Sequence, residues 1–266
     1  MGSEIPQVAR LDRGYVEVSG PDAEDFLERM LSNEIASLEE PPDVRLALLL
    51  TPKGRLIATL RVVREKTDAF LLLTDTAELA EPVAETLQRA RFAAKCEIKV
   101  LPWDGYVHFG PVPEAGAVRN ADYGAEAFET WNPRGIAPSS APGADTLEKL
   151  RIEAGTPAWG KELDETVLPA EAGLDKTHIS FTKGCYPGQE PIARLHHRGH
   201  ANRSLRLLTI ENAEPDADIV WNDKVVGRVT SAVQGRALGY VRTEVPDDAE
   251  LLVGGAVAKL ASPTRP

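Results

Sequence analysis

From Ser204 to Ala261 the chain is written in short alternating runs, SLRLLTIE, DIVWNDKVVGRVTSAV, ALGYVR and ELLVGGAVAKLA, set close together. Alternation at a period of two gives each run one inward and one outward face, and Asn222-Asp223 and the glycines between runs supply tight turns. This pattern predicts a small β-barrel over residues 201–266.

Residues 11–131 read differently. Tyr15, Val16 and Val18 form a strand-like segment before the Gly20-Pro21-Asp22 break, and Phe26, Leu27, Met30 and Leu31 follow at helical spacing. Leu46 to Leu50 and Leu56 to Val63 flank Thr51-Pro52-Lys53-Gly54 as a hairpin, Phe70 to Thr74 is a third strand, residues 78–94 are helical, and Ile98 to Leu101 returns to strand. Such an order predicts an α+β layer with helices on one face of a mostly antiparallel sheet. Residues 132–144, NPRGIAPSSAPGA, mark a loop or internal boundary. Beyond it, Asp145 with Glu148 three residues on resembles a capping box, and the helix TLEKLRIEA should stop at Gly155.

A chain of 266 residues with 42% hydrophobic and 27% charged content is long enough for one large core or two to three small ones. It has no apolar run near the roughly 20 residues that cross a bilayer and no hydrophobic signal core at MGSEIPQVARLDRG, so a cytoplasmic protein without membrane contact is expected. The two cysteines, Cys96 and Cys185, are expected to be reduced thiols, with Cys96 buried between a helix and a strand. A net charge of −11 argues against direct nucleic-acid or anionic-membrane binding. Yet Lys176, Lys183, Arg194, Arg198, Arg203 and Arg206 face a single acid, Glu190, over 176–206. That local excess is either a solvated basic face or the rim of a site for an anionic small molecule.

Within this stretch Lys183 to Glu190 read KGCYPGQE. Neither strand nor helix periodicity accounts for it. Gly184 and Gly188 permit left-handed or tight backbone geometry around Cys185, and Pro187 fixes one dihedral, which suits a rigid loop presenting a thiol. Gln189 and Glu190 are expected to hold the loop through backbone hydrogen bonds.

KGCYPGQE, preceded by LRIEAGTP and PAEAGLDKTHISF, resembles the YgfZ family of folate-binding proteins, relatives of the glycine-cleavage T-protein, an aminomethyltransferase. The octapeptide is the most specific piece; LRIEAG and GRVTS are shared more widely among T-protein-like chains. The resemblance implies a three-domain ring around a folate opening, with residues 1–131 and 132–200 as two folate-binding domains that can be intertwined and 201–266 as the barrel. It further implies tetrahydrofolate as cofactor and iron–sulfur enzymes as clients, among them one that modifies tRNA.

On that basis Glu153, the RxEAG glutamate, is the candidate for the pterin N–H edge, which a carboxylate can accept in a paired fashion. Lys183 and Arg194 are candidates for the glutamate tail, and Trp159 and Tyr186 for ring stacking, with core packing the alternative for each. The T-protein hairpin resembles GG-apolar-apolar-DD, and its aspartate acts at the folate nitrogen. Here Gly54-Arg55-Leu56-Ile57-Ala58-Thr59 stands in that register, leaving no general base there; Asp43 and Asp75 are acids on either side of the hairpin in sequence. This favours an accessory protein over an aminomethyl or other one-carbon transferase, with a thiol-redox adaptor as a third reading. Cys185 is open to three uses: a nucleophile or redox thiol, a transient metal or cluster contact, or a structural or docking residue. HHRGH and His178 match no zinc spacing with it, so no resident metal is expected.

Overall fold

The computed structural model describes residues 8–111, 116–133 and 144–264. Its first sheet has the order β3-β4-β5-β2-β6, all antiparallel, built from β2 (Tyr15–Ser19), β3 (Arg45–Leu50), β4 (Leu56–Lys66), β5 (Ala69–Thr74) and β6 (Glu97–Leu101). Alternation assigns the two faces. Val16, Val18, Leu60, Val62, Phe70 and Leu72 point to α1 (Ala23–Met30) and α2 (Ala80–Ala90), where Phe26, Leu27, Val83 and Leu87 complete the largest core. Tyr15, Val63, Leu71 and Leu73 point the other way, onto Trp103, Val118 and Trp131 of a second sheet. The helix expected over 78–94 ends at Ala90, because Phe92 turns into the left-handed region at φ 44°.

The second sheet, β1-β7-β9-β8, joins β1 (Val8–Leu11) to β7 (Trp103–Phe109), β8 (Val118–Arg119) and β9 (Ala127–Pro133). The boundary expected between residues 131 and 132 therefore falls inside β9, paired to β7 through Trp103↔Pro133. The two α+β bodies also exchange chain, since β1 lies in the second sheet and β2 in the first. Most of residues 132–144, read as a linker, lies outside the described residues.

α3 (Ala144–Glu153) ends ahead of Gly155, whose φ of 69° continues no helix. Residues 154–188 are mostly irregular and pack Leu163, Val167, Leu174, Ile179 and Tyr186 under Leu48, Leu50 and Leu56. α4 (Gln189–Arg198) follows, a helix that the sequence reading passed over because only Ile192 of it is buried. Six strands then close a barrel in the order β10-β13-β12-β11-β14-β15: β10 (Arg203–Thr209), β11 (Asp218–Trp221), β12 (Lys224–Val233), β13 (Arg236–Arg242), β14 (Glu250–Val253) and β15 (Ala256–Ala261). Asn222 and Asp223 both take positive φ in the β11–β12 turn, the geometry that Asn and Asp tolerate in two-residue hairpins. Among the described residues no helix is long and apolar enough to cross a membrane.

Candidate functional site

The T-protein-like motifs LRIEAG and GRVTS meet at one carboxylate. Glu162, fully buried, accepts hydrogen bonds from Arg151 Nη1 (2.8 Å), Ala158 N (3.0 Å), Thr230 Oγ1 (2.7 Å) and Ser231 Oγ (2.6 Å). Arg151 also donates to Glu148 and to Ser231 Oγ, and Tyr240 donates to the Glu162 carbonyl at 2.8 Å. Burial alone would lower the Arg151 guanidinium, but Glu148 and Glu162 together hold it above its ordinary value. These bonds fasten α3, the irregular segment and the barrel to one another, and they occupy Arg151, Thr230 and Ser231 of the two motifs.

The octapeptide is likewise anchored. Lys183 Nζ, 1% exposed in its side chain, donates to the carbonyls of Glu28 (2.6 Å), Leu31 (2.8 Å) and Asn33 (2.8 Å) and lies 3.2 Å from the Glu28 carboxylate. The carbonyls of Glu28 and Leu31 belong to the open C-terminal end of α1, where a cation is favoured, and that of Asn33 to the turn after it. Burial pushes the Lys183 ammonium below its ordinary value and Glu28 opposes the fall. All three N–H bonds are used, so Lys183 holds the loop and has none left for a folate tail. Tyr186 is core, its ring centroid 5.7 Å from that ammonium and its hydroxyl pushed up to about 12 by burial, rather than a stacking surface. Gly188 takes φ 84° and packs on the hairpin turn, where a Cβ would sit 2.6 Å from Thr51 O and 3.0 Å from Gly54 Cα. Gly184 has neither a positive φ nor a neighbour within 4 Å of a Cβ, so the backbone freedom expected of it is not required. Gln189 and Glu190 open α4 instead of bracing the loop, and among the described residues Glu190 pairs with Arg194, 2.9 Å away, both side chains being mostly exposed. Cys185 is exposed and Cys96 is buried, with burial raising the Cys96 thiol.

Between the two sheets and the irregular segment lies a cavity of about 300 Å³, lined by Arg13, Asp75, Asp122, Arg151, Thr156 and Trp159 among others. A neighbouring space of about 30 Å³ shares Asp75, Asp122 and Thr156 and adds Thr59, Arg61 and His178. The walls form one ion network. Arg13 meets Glu129 at 3.0 Å and Asp75 and Asp122 at 3.3 Å each, while Arg61 meets Asp122 at 2.5 Å. Glu129, fully buried, also accepts from Asn120 at 2.9 Å. Two guanidiniums face three carboxylates, an excess of one negative charge. Burial pushes the Asp75 carboxyl above its ordinary value against the pull of Arg13, Thr59 and Arg61.

Register explains its position. Leu60 pairs with Thr74, so Thr59 and Asp75 are opposed one step further on, and Thr59 Oγ1 donates to Asp75 Oδ2 at 2.5 Å. A carboxylate thus stands beside the position vacated on β4, supplied by the adjacent strand. Asp43 is used elsewhere, accepting from Glu39 N and Val44 N. Four buried side-chain polar atoms lack a partner among the described residues, and three of them, Thr76 Oγ1, Thr156 Oγ1 and Arg61 Nε, belong to residues lining these two spaces. Arg61 Nε is 3.7 Å from Glu129, beyond hydrogen-bond reach.

Of the side chains expected at a folate, only Trp159 lines this cavity. The Glu153 carboxylate does not; it lies 4.0 Å from Lys149, on the far side of α3 from Arg151, since two residues rotate a helix by about 200°. Arg194 lines a larger, open groove of about 660 Å³ on the outer face of α4. That groove contains no buried ion network, so the smaller central cavity is the better-built site. Arg13, Arg61, Asp122 and Glu129 escaped the sequence reading because they are scattered from residue 13 to residue 129 with no common spacing.

Comparison with known proteins agrees with this architecture. Residues 203–265 match the family model for the CAF17, C-terminal beta-barrel domain. The chain is 27% identical over 235 residues to the iron-sulfur cluster assembly factor IBA57 homolog, mitochondrial, of Mycosarcoma maydis, covering 78% of this chain and 58% of that protein. It is 28% identical over 229 residues to the tRNA-modifying protein YgfZ of Edwardsiella ictaluri, covering 73% of this chain and 67% of that protein. The glycine cleavage system aminomethyltransferase T from Bartonella henselae superposes with a TM-score of 0.84 at 20% identity, over 96% of this chain and 84% of that one. The fold is that of the glycine-cleavage T-protein, and the chain is similar in sequence to YgfZ- and IBA57-named proteins.

Proposed function

We propose that the chain binds a reduced folate in its central cavity and acts as an accessory protein in the assembly or repair of iron–sulfur enzymes, including one that modifies tRNA. The observation that carries the folate half is the set of unpartnered buried polar atoms, Thr76 Oγ1, Thr156 Oγ1 and Arg61 Nε, on residues lining the cavity or the small space beside it, both of which Asp75 also lines. Buried polar groups are ordinarily satisfied, so a polar ligand is the natural partner.

The donor set fits a pterin. Asp75 can accept its N–H edge, Thr156 Oγ1 and Arg61 Nε can donate to its carbonyl and ring nitrogens, and the half-buried Trp159 lends an aromatic wall. When bound, tetrahydrofolate supplies a carrier of one-carbon units. The residues themselves bind and orient the ring, with the Asp75 carboxylate as the acceptor of its N–H edge. The iron–sulfur half rests on similarity to the IBA57- and YgfZ-named proteins, with the exposed Cys185 thiol as the contact offered to a client.

A second reading, a tetrahydrofolate-dependent one-carbon transferase, is favoured by one observation: Asp75 stands against Thr59, so the cavity keeps a carboxylate despite Ala58 and Thr59. Calorimetric titration with tetrahydrofolate tests the site. Asp75→Asn and Thr156→Val should each weaken binding about tenfold, one lost buried hydrogen bond each, and Cys185→Ala should leave it unchanged. No binding by the wild type, or binding indifferent to Asp75, would end the folate reading. Multiple-turnover one-carbon transfer lost in Asp75→Asn would promote the transferase. Iron–sulfur enzyme activity in cells lacking the gene, restored by wild type and not by Cys185→Ala, tests the accessory role.

A further inference from the structure

The groove on the outer face of α4 shares no lining residue with the central cavity. Its floor is apolar, made by Leu168, Phe181, Ile192 and Leu195, and its rim carries Lys53, Arg55, Arg194 and Arg198 against Asp175 and against Glu190, which pairs with Arg194 at 2.9 Å. Pro191, Arg194, Leu195 and Arg198 fall at i, i+3, i+4 and i+7, so one stripe of α4 presents apolar and cationic groups side by side. Helix-end charge complementarity accounts for Arg198 and its neighbouring histidines in the last turn, but not for Lys53 and Arg55, which come from the hairpin turn across the groove. Four cations against two acids leave a local positive excess over an apolar floor, opposite in sign to a chain at −11 overall.

We infer that this groove docks an acidic, amphipathic segment of a partner protein, with its apolar side chains on the Phe181–Leu195 floor and its carboxylates toward Lys53, Arg194 and Arg198. Lys53, Arg194 and Arg198 are exposed, Arg194 to 72%, while half-buried Arg55 donates to the Thr166 carbonyl, so the cations do not converge in an enclosed pocket as a small anion needs. Many separated contacts along α4, about 15 Å for its ten residues, suit about five extended residues or nearly three helical turns. The octapeptide adjoins the groove: Gly188 packs on Gly54, a groove residue, and Cys185 lies three residues earlier, hence within about 11 Å of Gly188. A segment seated here brings its protein to the exposed thiol.

The test uses the full chain, an environment-sensitive dye on Cys185 and a fluorescein-labelled 14-residue peptide of Glu, Asp, Leu and Phe. Peptide binding should change the dye emission, and Arg194→Glu with Arg198→Glu should weaken it at least tenfold while the melting temperature and tetrahydrofolate titration stay as in wild type. Asp75→Asn should leave peptide affinity within twofold, so failure at the folate cavity and failure at the groove read out separately. Four results would overturn the inference: no saturable binding up to about 1 mM, an affinity indifferent to the charge reversal, anisotropy that rises without any response at Cys185, or an RNA oligonucleotide of equal charge that binds tighter and is lost in the same variant.

Discussion

Glu162→Gln is the sharpest test of how the two widely shared motifs work. The substitution keeps the shape and removes the charge at a site where four donors, Arg151, Ala158 N, Thr230 and Ser231, converge on one fully buried carboxylate. Charge-assisted bonds are worth about 1 kcal/mol more than neutral ones, so four weakened bonds cost about 4 kcal/mol. Breaking a buried ion pair costs about 3–5 kcal/mol by a separate route, and Glu148, 2.6 Å from Arg151 Nη2, retains part of that pairing. An expected loss of about 3 kcal/mol follows. Urea unfolding should be followed by circular dichroism and by tryptophan fluorescence, since Trp159 and Trp221 lie on the irregular segment and in the barrel. Ser231→Ala alone should cost about 1–2 kcal/mol, and the double variant should cost less than the sum by about 1 kcal/mol, because the two groups share a bond of 2.6 Å. A loss under about 1 kcal/mol for Glu162→Gln, or strict additivity with Ser231→Ala, would refute the idea that LRIEAG and GRVTS act through this carboxylate.

Three further outcomes follow from the anchoring and the cavity. Lys183→Met should destabilise the chain by about 2–4 kcal/mol and expose the 183–188 loop to protease, through loss of three bonds to the α1 terminus and the turn after it; an unchanged cleavage rate would contradict the anchor. Asp75 has a raised folded value, so its contribution is fully present below the ordinary value of 3.8 and is lost as pH rises through the folded value. Asp75→Asn should therefore gain stability relative to wild type between pH 3 and pH 7 in parallel melting scans, and an opposite slope would mean that Arg13 outweighs burial. Gly188→Ala should cost about 2 kcal/mol or more in denaturant unfolding, because the Cβ meets both a φ of 84° and Thr51 O; a neutral effect would mean that the hairpin turn yields.

The barrel was written in the sequence, since its strands alternate at a period of two, its turns carry Asn-Asp and Gly-Gly, and both are local properties of neighbouring residues. The first sheet and its helices were legible for the same reason, as was the left-handed backbone at Gly188. Exchange of β1 into the second sheet was not, because pairing with β7 joins residues about a hundred apart and leaves no mark on either strand. Side-chain destinations were hidden likewise: a lysine beside a cysteine reads as a free cation until α1 and the turn after it supply three carbonyls to hold it. The cavity was least legible of all. Arg13, Arg61, Asp75, Asp122 and Glu129 come from five separate segments, and only the packing of one sheet on another shuts out water enough to make their charges interact and to raise the Asp75 carboxyl.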